Sequence, residues 1–100
     1  MEITVNQIRL FYPQSGVGEP LILLHGNGED HTLFLYLQTK LASDYTVYAI
    51  DSRDHGQSQH DLPLSYQLMA DDIMHFADAL QLNSINLVGF SDGAIVSMLI

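Results

Sequence analysis

Residues 87–100 read LVGFSDGAIVSMLI, and this stretch decides the fold. The apolar pair Leu87-Val88 enters Gly89-Phe90-Ser91-Asp92-Gly93, and a second apolar run follows at once. Serine centred between two glycines is the pattern of a buried strand that turns abruptly into a helix. Such a turn holds the serine in a strained conformation, with its hydroxyl projecting beyond the strand end. Strand and helix then approach too closely for side chains two residues to either side. Gly89 and Gly93 supply that missing bulk, and the small Ala94 helps. The helix would also aim free N–H groups and its positive end at the serine, where negative charge builds during attack on a carbonyl. The plainer reading is a glycine-lined turn carrying an incidental serine; the strand before it and the helix after it favour a nucleophile.

Outward from this turn, the chain alternates between strand and helix. Residues 85–90 form a third buried strand, and the helix that begins at Asp92 shows no stop signal by Ile100. Upstream, the spacing predicts a helix over 65–82, with Tyr66, Met69, Ala70, Ile73, Phe76, Ala77 and Leu80 on one face. Asp71, Asp72 and Asp78 lie off that face, and Ser65 is placed to cap the first turn. Residues 45–50 and 21–24 are continuous apolar runs, the mark of strands buried on both faces. A helix-like segment over 32–42 separates them. At the start, Ile3, Val5, Ile8, Leu10 and Tyr12 alternate with polar residues about Asn6-Gln7, which predicts a β-hairpin. Residues 13–20, PQSGVGEP, read as a surface loop. The fold class is therefore α/β: a leading hairpin, then a parallel βαβαβα unit with helices on both faces. No repeat or domain boundary interrupts residues 1–100, which form one domain.

Composition narrows the function. The 100 residues are 47% hydrophobic and 15% charged, enough for one packed core. Twelve acidic side chains face only Arg9, Lys40 and Arg53, giving a net charge of −9. That field repels phosphate backbones, so no nucleic-acid partner is expected, and it favours neutral or cationic small molecules. The absence of cysteine excludes disulfides, thiolate metal sites and a cysteine nucleophile. Without a basic-then-apolar leader or a bilayer-length apolar run, a cytoplasmic location without a membrane partner is expected. Asp51, Asp54, His55, His60 and Asp61 crowd one polar loop; they read as solvated residues, and no metal site is expected.

The turn His25-Gly26-Asn27-Gly28 also follows a buried strand. One reading makes it an oxyanion loop, lending the Asn27 N–H to pair with that of Asp92. The other makes it a dinucleotide-binding turn, with Asp51 at the end of the next strand as the ribose acid. The second reading requires a glycine where His31 stands, which weakens it.

Three signatures in order, His25-Gly26-Asn27-Gly28, then Asp51-Ser52-Arg53-Asp54-His55-Gly56-Gln57-Ser58, then Gly89-Phe90-Ser91-Asp92-Gly93, resemble the N-terminal part of an α/β-hydrolase-fold protein, a serine esterase-like member. The similarity runs the length of this chain and covers the first half or less of the family's core. The resemblance implies Ser91 as nucleophile and the backbone N–H groups of Asn27 and Asp92 as oxyanion hole. His25, Gly26, Gly28, Gly89 and Gly93 support the motifs, and the 51–58 loop braces the site from below. Asp54 replaces the family's usual glycine, and aspartate tolerates left-handed geometry better than most residues. The strand over 85–90 is expected in mid-sheet. The Asp92 carboxylate and His31 are candidate substrate contacts, although Asp92 would equally complement the positive end of its helix.

The implied activity is hydrolysis of small carboxylic esters or related acyl compounds through an acyl-enzyme, without a cofactor. The family's acid and histidine follow the serine in chain order, yet only Asp92 and no histidine follow Ser91 here. The chain is therefore expected to be an incomplete domain, cut in the helix after the nucleophile and inactive by itself. Two alternatives stand beside this reading: a non-catalytic ligand-binding module on the same fold, and a nucleotide-binding domain.

Overall fold

Alternating apolar residues build the first element in the computed structural model, which describes residues 1–100. Strands β1 (Glu2–Val5) and β2 (Ile8–Phe11) pair antiparallel. Asn6 and Gln7 join them at φ 49° and 67°, the two successive left-handed residues that a tight hairpin turn requires.

The remaining strands form one sheet. The central strand β4 (Glu19–Leu24) pairs in parallel with β5 (Tyr45–Ile50) on one side and β6 (Asn86–Gly89) on the other. Leu24 lies level with Ile50 and with Gly89. The three strands thus end together, so the turn at 25–28, the loop from 51 and the serine turn all emerge at one edge. Parallel α/β sheets place ligands at such an edge. The expected loop over 13–20 contains a two-residue strand, β3 (Gln14–Ser15), antiparallel to β5. Its polar sequence carries no strand pattern; the open edge of β5 recruits its backbone.

Alternation along the strands divides the core between two faces. Ile22 and Leu24 of β4, with Tyr48 and Ile50 of β5, pack against the hairpin, helix α2 (Tyr66–Ala79) and Val96 of helix α3 (Asp92–Met98). Tyr12 meets Phe76 edge-on at 4.9 Å in this layer. Leu21, Leu23, Val47 and Ala49 point the other way, onto Phe34, Leu37 and Leu41. Helices cover both faces, as the sequence implies.

Several expectations are refined or corrected. The helix-like segment over 32–42 is helical as expected, divided into a 3-10 turn, His31–Phe34, and a short α1 (Leu35–Leu41). Asp30 caps this segment by accepting from the Thr32 N–H at 2.8 Å. Helix α2 starts where expected, with the Ser65 hydroxyl accepting from the Leu68 N–H at 3.1 Å, but it ends at Ala79. Asp72 lies on the inner face between Met69 and Phe76, fully buried, because a cation waits there. Within these 100 residues strand β6 pairs with β4 along one edge, and Val88 is 39% exposed, as is Phe90 just beyond the strand at 53%. Helix α3 runs over Asp92–Met98.

Candidate active site

The serine turn has the geometry its glycines imply. Ser91 stands at φ 56° and ψ −114°, immediately before α3. A non-glycine residue there stores strain of about 1–3 kcal/mol that surrounding contacts must offset. Three backbone bonds hold the turn: Phe90 N–H to the Leu24 carbonyl at 3.0 Å, Gly93 N–H to Phe90 at 2.9 Å and Ala94 N–H to Ser91 at 2.9 Å. A Cβ on Gly93 would sit 2.7 Å from the Leu24 carbonyl carbon and 2.8 Å from the His25 oxygen. A Cβ on Gly89 would lie 2.6 Å from the Ala94 nitrogen. Both glycines are therefore packing requirements. The Ser91 side chain is exposed at the lip of the sheet.

The 25–28 turn leans directly on this serine, because a Cβ on Gly26 would come within 3.2 Å of the Ser91 Cβ. Its N–H groups are used selectively. Gly26 N–H donates to the Glu29 carboxylate at 2.8 Å, and Gly28 N–H donates to His55 Nε2 at 3.0 Å. The N–H groups of Asn27 and Asp92 have no acceptor within the chain. Both residues line a cavity of about 340 Å³, with His55, Leu64, Ser65, Tyr66 and Met69 as the other walls. The Asp92 carboxylate accepts the Tyr66 hydroxyl at 3.0 Å, and this bond pushes the phenol pKa above its ordinary value.

His25 is fully buried and both its nitrogens are engaged. Nε2 accepts from the Ser52 N–H at 3.0 Å, so Nδ1 carries the proton and donates to the Gly26 carbonyl at 2.7 Å. Burial pulls its pKa below the ordinary histidine value. His31 does not line the cavity; its Nδ1 lies 2.8 Å from Asp51, and its ring packs on Phe11. His60 and His75 bind the carbonyls of Gly56 and Asp71. None of the five histidines is hydrogen bonded to Ser91.

The polar loop after β5 is the largest departure from the sequence reading. Asp51 and His55, expected to be solvated, are buried together with Ser52, Arg53 and Ser58, whereas His60 and Asp61 are exposed. Arg53 makes a bidentate pair with Asp72, through Nε at 2.7 Å and Nη2 at 3.0 Å, while Nη1 reaches the Pro63 carbonyl. Asn6 adds a third donor to Asp72 at 2.9 Å. This pairing holds the Arg53 pKa above its ordinary value. Asp51 is fully buried and its carboxylate accepts the backbone N–H of His31 at 2.7 Å and that of Gln57 at 2.8 Å, so it is not presented to a ribose. Asp54 takes φ 64° and binds the Asp61 N–H, so it stands in left-handed geometry. The acidic and histidine residues weighed as a metal group do not converge. A different trio does: Asp30, His31 and Asp51 bring ligand atoms within 4.8 Å, with both carboxylates already accepting N–H bonds. The only sequence signal for this buried network was the presence of one of three cations, Arg53, among acids and small polar residues.

Parallel strands ending at a strained serine, beside two unused N–H groups, define an α/β protein with its site at the carboxyl edge of the sheet. Residues 19–100 match the model of the alpha/beta hydrolase fold, and the chain belongs to that family. It is 41% identical over 83 residues to ethanol acetyltransferase 1 of Kluyveromyces marxianus, covering 81% of this chain and 23% of that protein. A marine microorganism esterase superposes with a TM-score of 0.86 at 38% identity, over 89% of this chain and 34% of that one. The epoxide hydrolase CorEH superposes with a TM-score of 0.92 at 27% identity, over 99% of this chain and 35% of that one. The chain thus spans about a quarter of the length of the curated relative and about a third of each solved structure. No helix is long and apolar enough to cross a membrane.

Proposed function

We propose that the protein carrying these residues hydrolyses small carboxylic esters or related acyl compounds through an acyl-enzyme on Ser91. The Ser91 oxygen adds to the carbonyl carbon, and the N–H groups of Asn27 and Asp92 receive the resulting oxyanion. Collapse expels the alcohol, which takes a proton; water then attacks the acyl group, releasing the acid and restoring the hydroxyl. The observation that carries this reading is the strained serine turn packed against a loop whose neighbouring N–H groups are bonded while that of Asn27 is unused.

Serine also argues for acyl rather than epoxide chemistry. A serine oxygen that opened an epoxide would form an ether, from which water offers no easy exit. An acyl ester on the same oxygen hydrolyses readily. The base is a histidine, supported by an acid, from outside these 100 residues, which form the N-terminal part of the catalytic domain. The 100-residue chain alone is inactive, because a serine without a base remains a protonated, weak nucleophile. The Asp92 carboxylate at the cavity and the net charge of −9 favour neutral or cationic substrates.

A second reading differs only in the acceptor. The 41% identity to an ethanol acetyltransferase supports an alcohol replacing water in the second step, giving a new ester. Both readings share one test. The active protein should turn over a short p-nitrophenyl ester, and a fluorophosphonate should label Ser91. Ser91→Ala should abolish both, and added ethanol should yield an ethyl ester only if transfer competes with hydrolysis. Undiminished turnover by Ser91→Ala would overturn the nucleophile assignment. Turnover by the isolated 100 residues would overturn the external base.

A further inference from the structure

We propose that His55 is a positioning residue for the oxyanion loop: its neutral imidazole, protonated on Nδ1, holds the Gly28 peptide and thereby fixes the adjoining Asn27 peptide at the cavity wall. The proposal rests on the acyl-transfer reading above and assigns a role to a buried histidine that the reaction itself does not use.

Hydrogen-bond polarity decides the tautomer. Nε2 lies 3.0 Å from the Gly28 nitrogen, whose hydrogen needs a lone pair there. Nδ1 lies 2.9 Å from the Arg53 carbonyl, which needs a proton. Only the neutral Nδ1–H form satisfies both. The Arg53 carbonyl is itself anchored, because the Arg53 side chain is clamped on Asp72. His55 is buried, so water cannot readily replace either partner.

The arrangement is reciprocal. His25, from the 25–28 turn, accepts the Ser52 N–H of the polar loop. His55, from the polar loop, accepts the Gly28 N–H of the turn. The two rings stack at a tilt, 5.1 Å apart, each in the same tautomer. Asn27 is left between two immobilised peptides, Gly26 held by Glu29 and Gly28 held by His55. Of the Gly26, Asn27 and Gly28 backbone N–H groups, that of Asn27 is the one that remains for a ligand. A donor fixed before reaction needs no reorganisation when charge develops, and that is the source of its effect on rate.

A proton on Nε2 would set two N–H groups against each other and release Gly28. The ionisable groups around the pair are Asp51 and Arg53 on the polar loop, Glu29 and Asp30 just after the turn, and Asp92 and Tyr66 across the cavity.

The test compares His55→Leu and His55→Gln in the active, full-length protein, with Ser91→Ala alongside. His55→Leu removes the acceptor; it should lower kcat for a p-nitrophenyl ester about 10- to 100-fold, with KM changed less than about threefold. His55→Gln offers Oε1 to the Gly28 N–H and should restore kcat to within about fivefold of wild type. Imidazole 15N spectra of the wild type at neutral pH should show His55 bare at Nε2 and protonated at Nδ1. A folded His55→Leu with unchanged kcat overturns the proposal, as does an Nε2-protonated His55. If His55→Leu fails to fold, rescue by His55→Gln and the tautomer together decide it. Activity in Ser91→Ala would instead overturn the acyl-enzyme reading, leaving the two failures distinguishable.

Discussion

Asp72→Asn is the perturbation whose cost follows most directly from this structure. Asp72 is buried to 1% exposure and accepts Arg53 Nε at 2.7 Å, Arg53 Nη2 at 3.0 Å and Asn6 Nδ2 at 2.9 Å. Asparagine keeps one acceptor oxygen, but its NH2 group must face the guanidinium or the Asn6 amide, donor against donor. The larger loss is the charge. Arg53 is itself buried to 5% exposure, and with its counter-ion gone it remains an uncompensated cation away from water. Breaking a buried pair in this way costs about 3–5 kcal/mol, whereas replacing both partners by apolar groups of similar volume is often neutral. Urea unfolding of the full-length protein should therefore lose about 3–5 kcal/mol in Asp72→Asn, and a comparable amount in Arg53→Met. The double variant Arg53→Met, Asp72→Leu should recover most of that loss, leaving a coupling energy above about 2 kcal/mol. An Asp72→Asn loss below about 1 kcal/mol, or additive single losses, would refute the reasoning. The pair ties the polar loop to α2, and the Arg53 carbonyl receives His55, so kcat should fall in Asp72→Asn even where the protein remains folded.

Two further outcomes test the site and its surroundings. Gly93→Ala places a methyl 2.7 Å from the Leu24 carbonyl carbon and 2.8 Å from the His25 oxygen, against an ordinary limit of 3.4 Å, so α3 must retreat by more than half an ångström. A misplacement of that order should reduce ester turnover by up to about 100-fold while a fluorophosphonate still reaches Ser91 slowly; unchanged turnover would show that the turn is not rigid. Burial lowers the His25 pKa below 6.5, so the folded state binds fewer protons than the unfolded one. Its contribution is fully present above pH 6.5 and is lost as pH falls from there through the native value, at up to about 1.4 kcal/mol per pH unit. Urea midpoints measured across that window should decline with pH in the wild type, and His25→Gln should flatten part of the slope.

Local chemistry made much of this molecule legible. The Ser65 cap, the Asn6-Gln7 turn and the alternation of Leu21 to Leu24 between two faces were readable, because each depends on neighbours in the chain. Gly89 and Gly93 marked the serine turn for the same reason. Asp72 was not readable as a core residue: its helical position was suitable, but its partner lies 19 residues away on a loop without periodicity. An apolar run such as β6 signals that a strand is fit for burial, but which neighbours cover it is a tertiary matter, and within these 100 residues β4 pairs with one edge.

The sequence by itself determined the order of strands and helices, the strained serine and the glycines that let a helix crowd a strand. Those properties depend on side-chain size and on backbone conformations open to few residues. Only the tertiary structure decided that the polar loop is an internal brace. Asp51, Arg53 and His55 are tolerable in the interior because each meets a complementary donor or acceptor from a distant segment. Such pairings are long-range and leave no period in the chain. The same long-range contacts leave Asn27 as the unused donor beside Ser91, since Glu29 takes the peptide before it and His55 the one after.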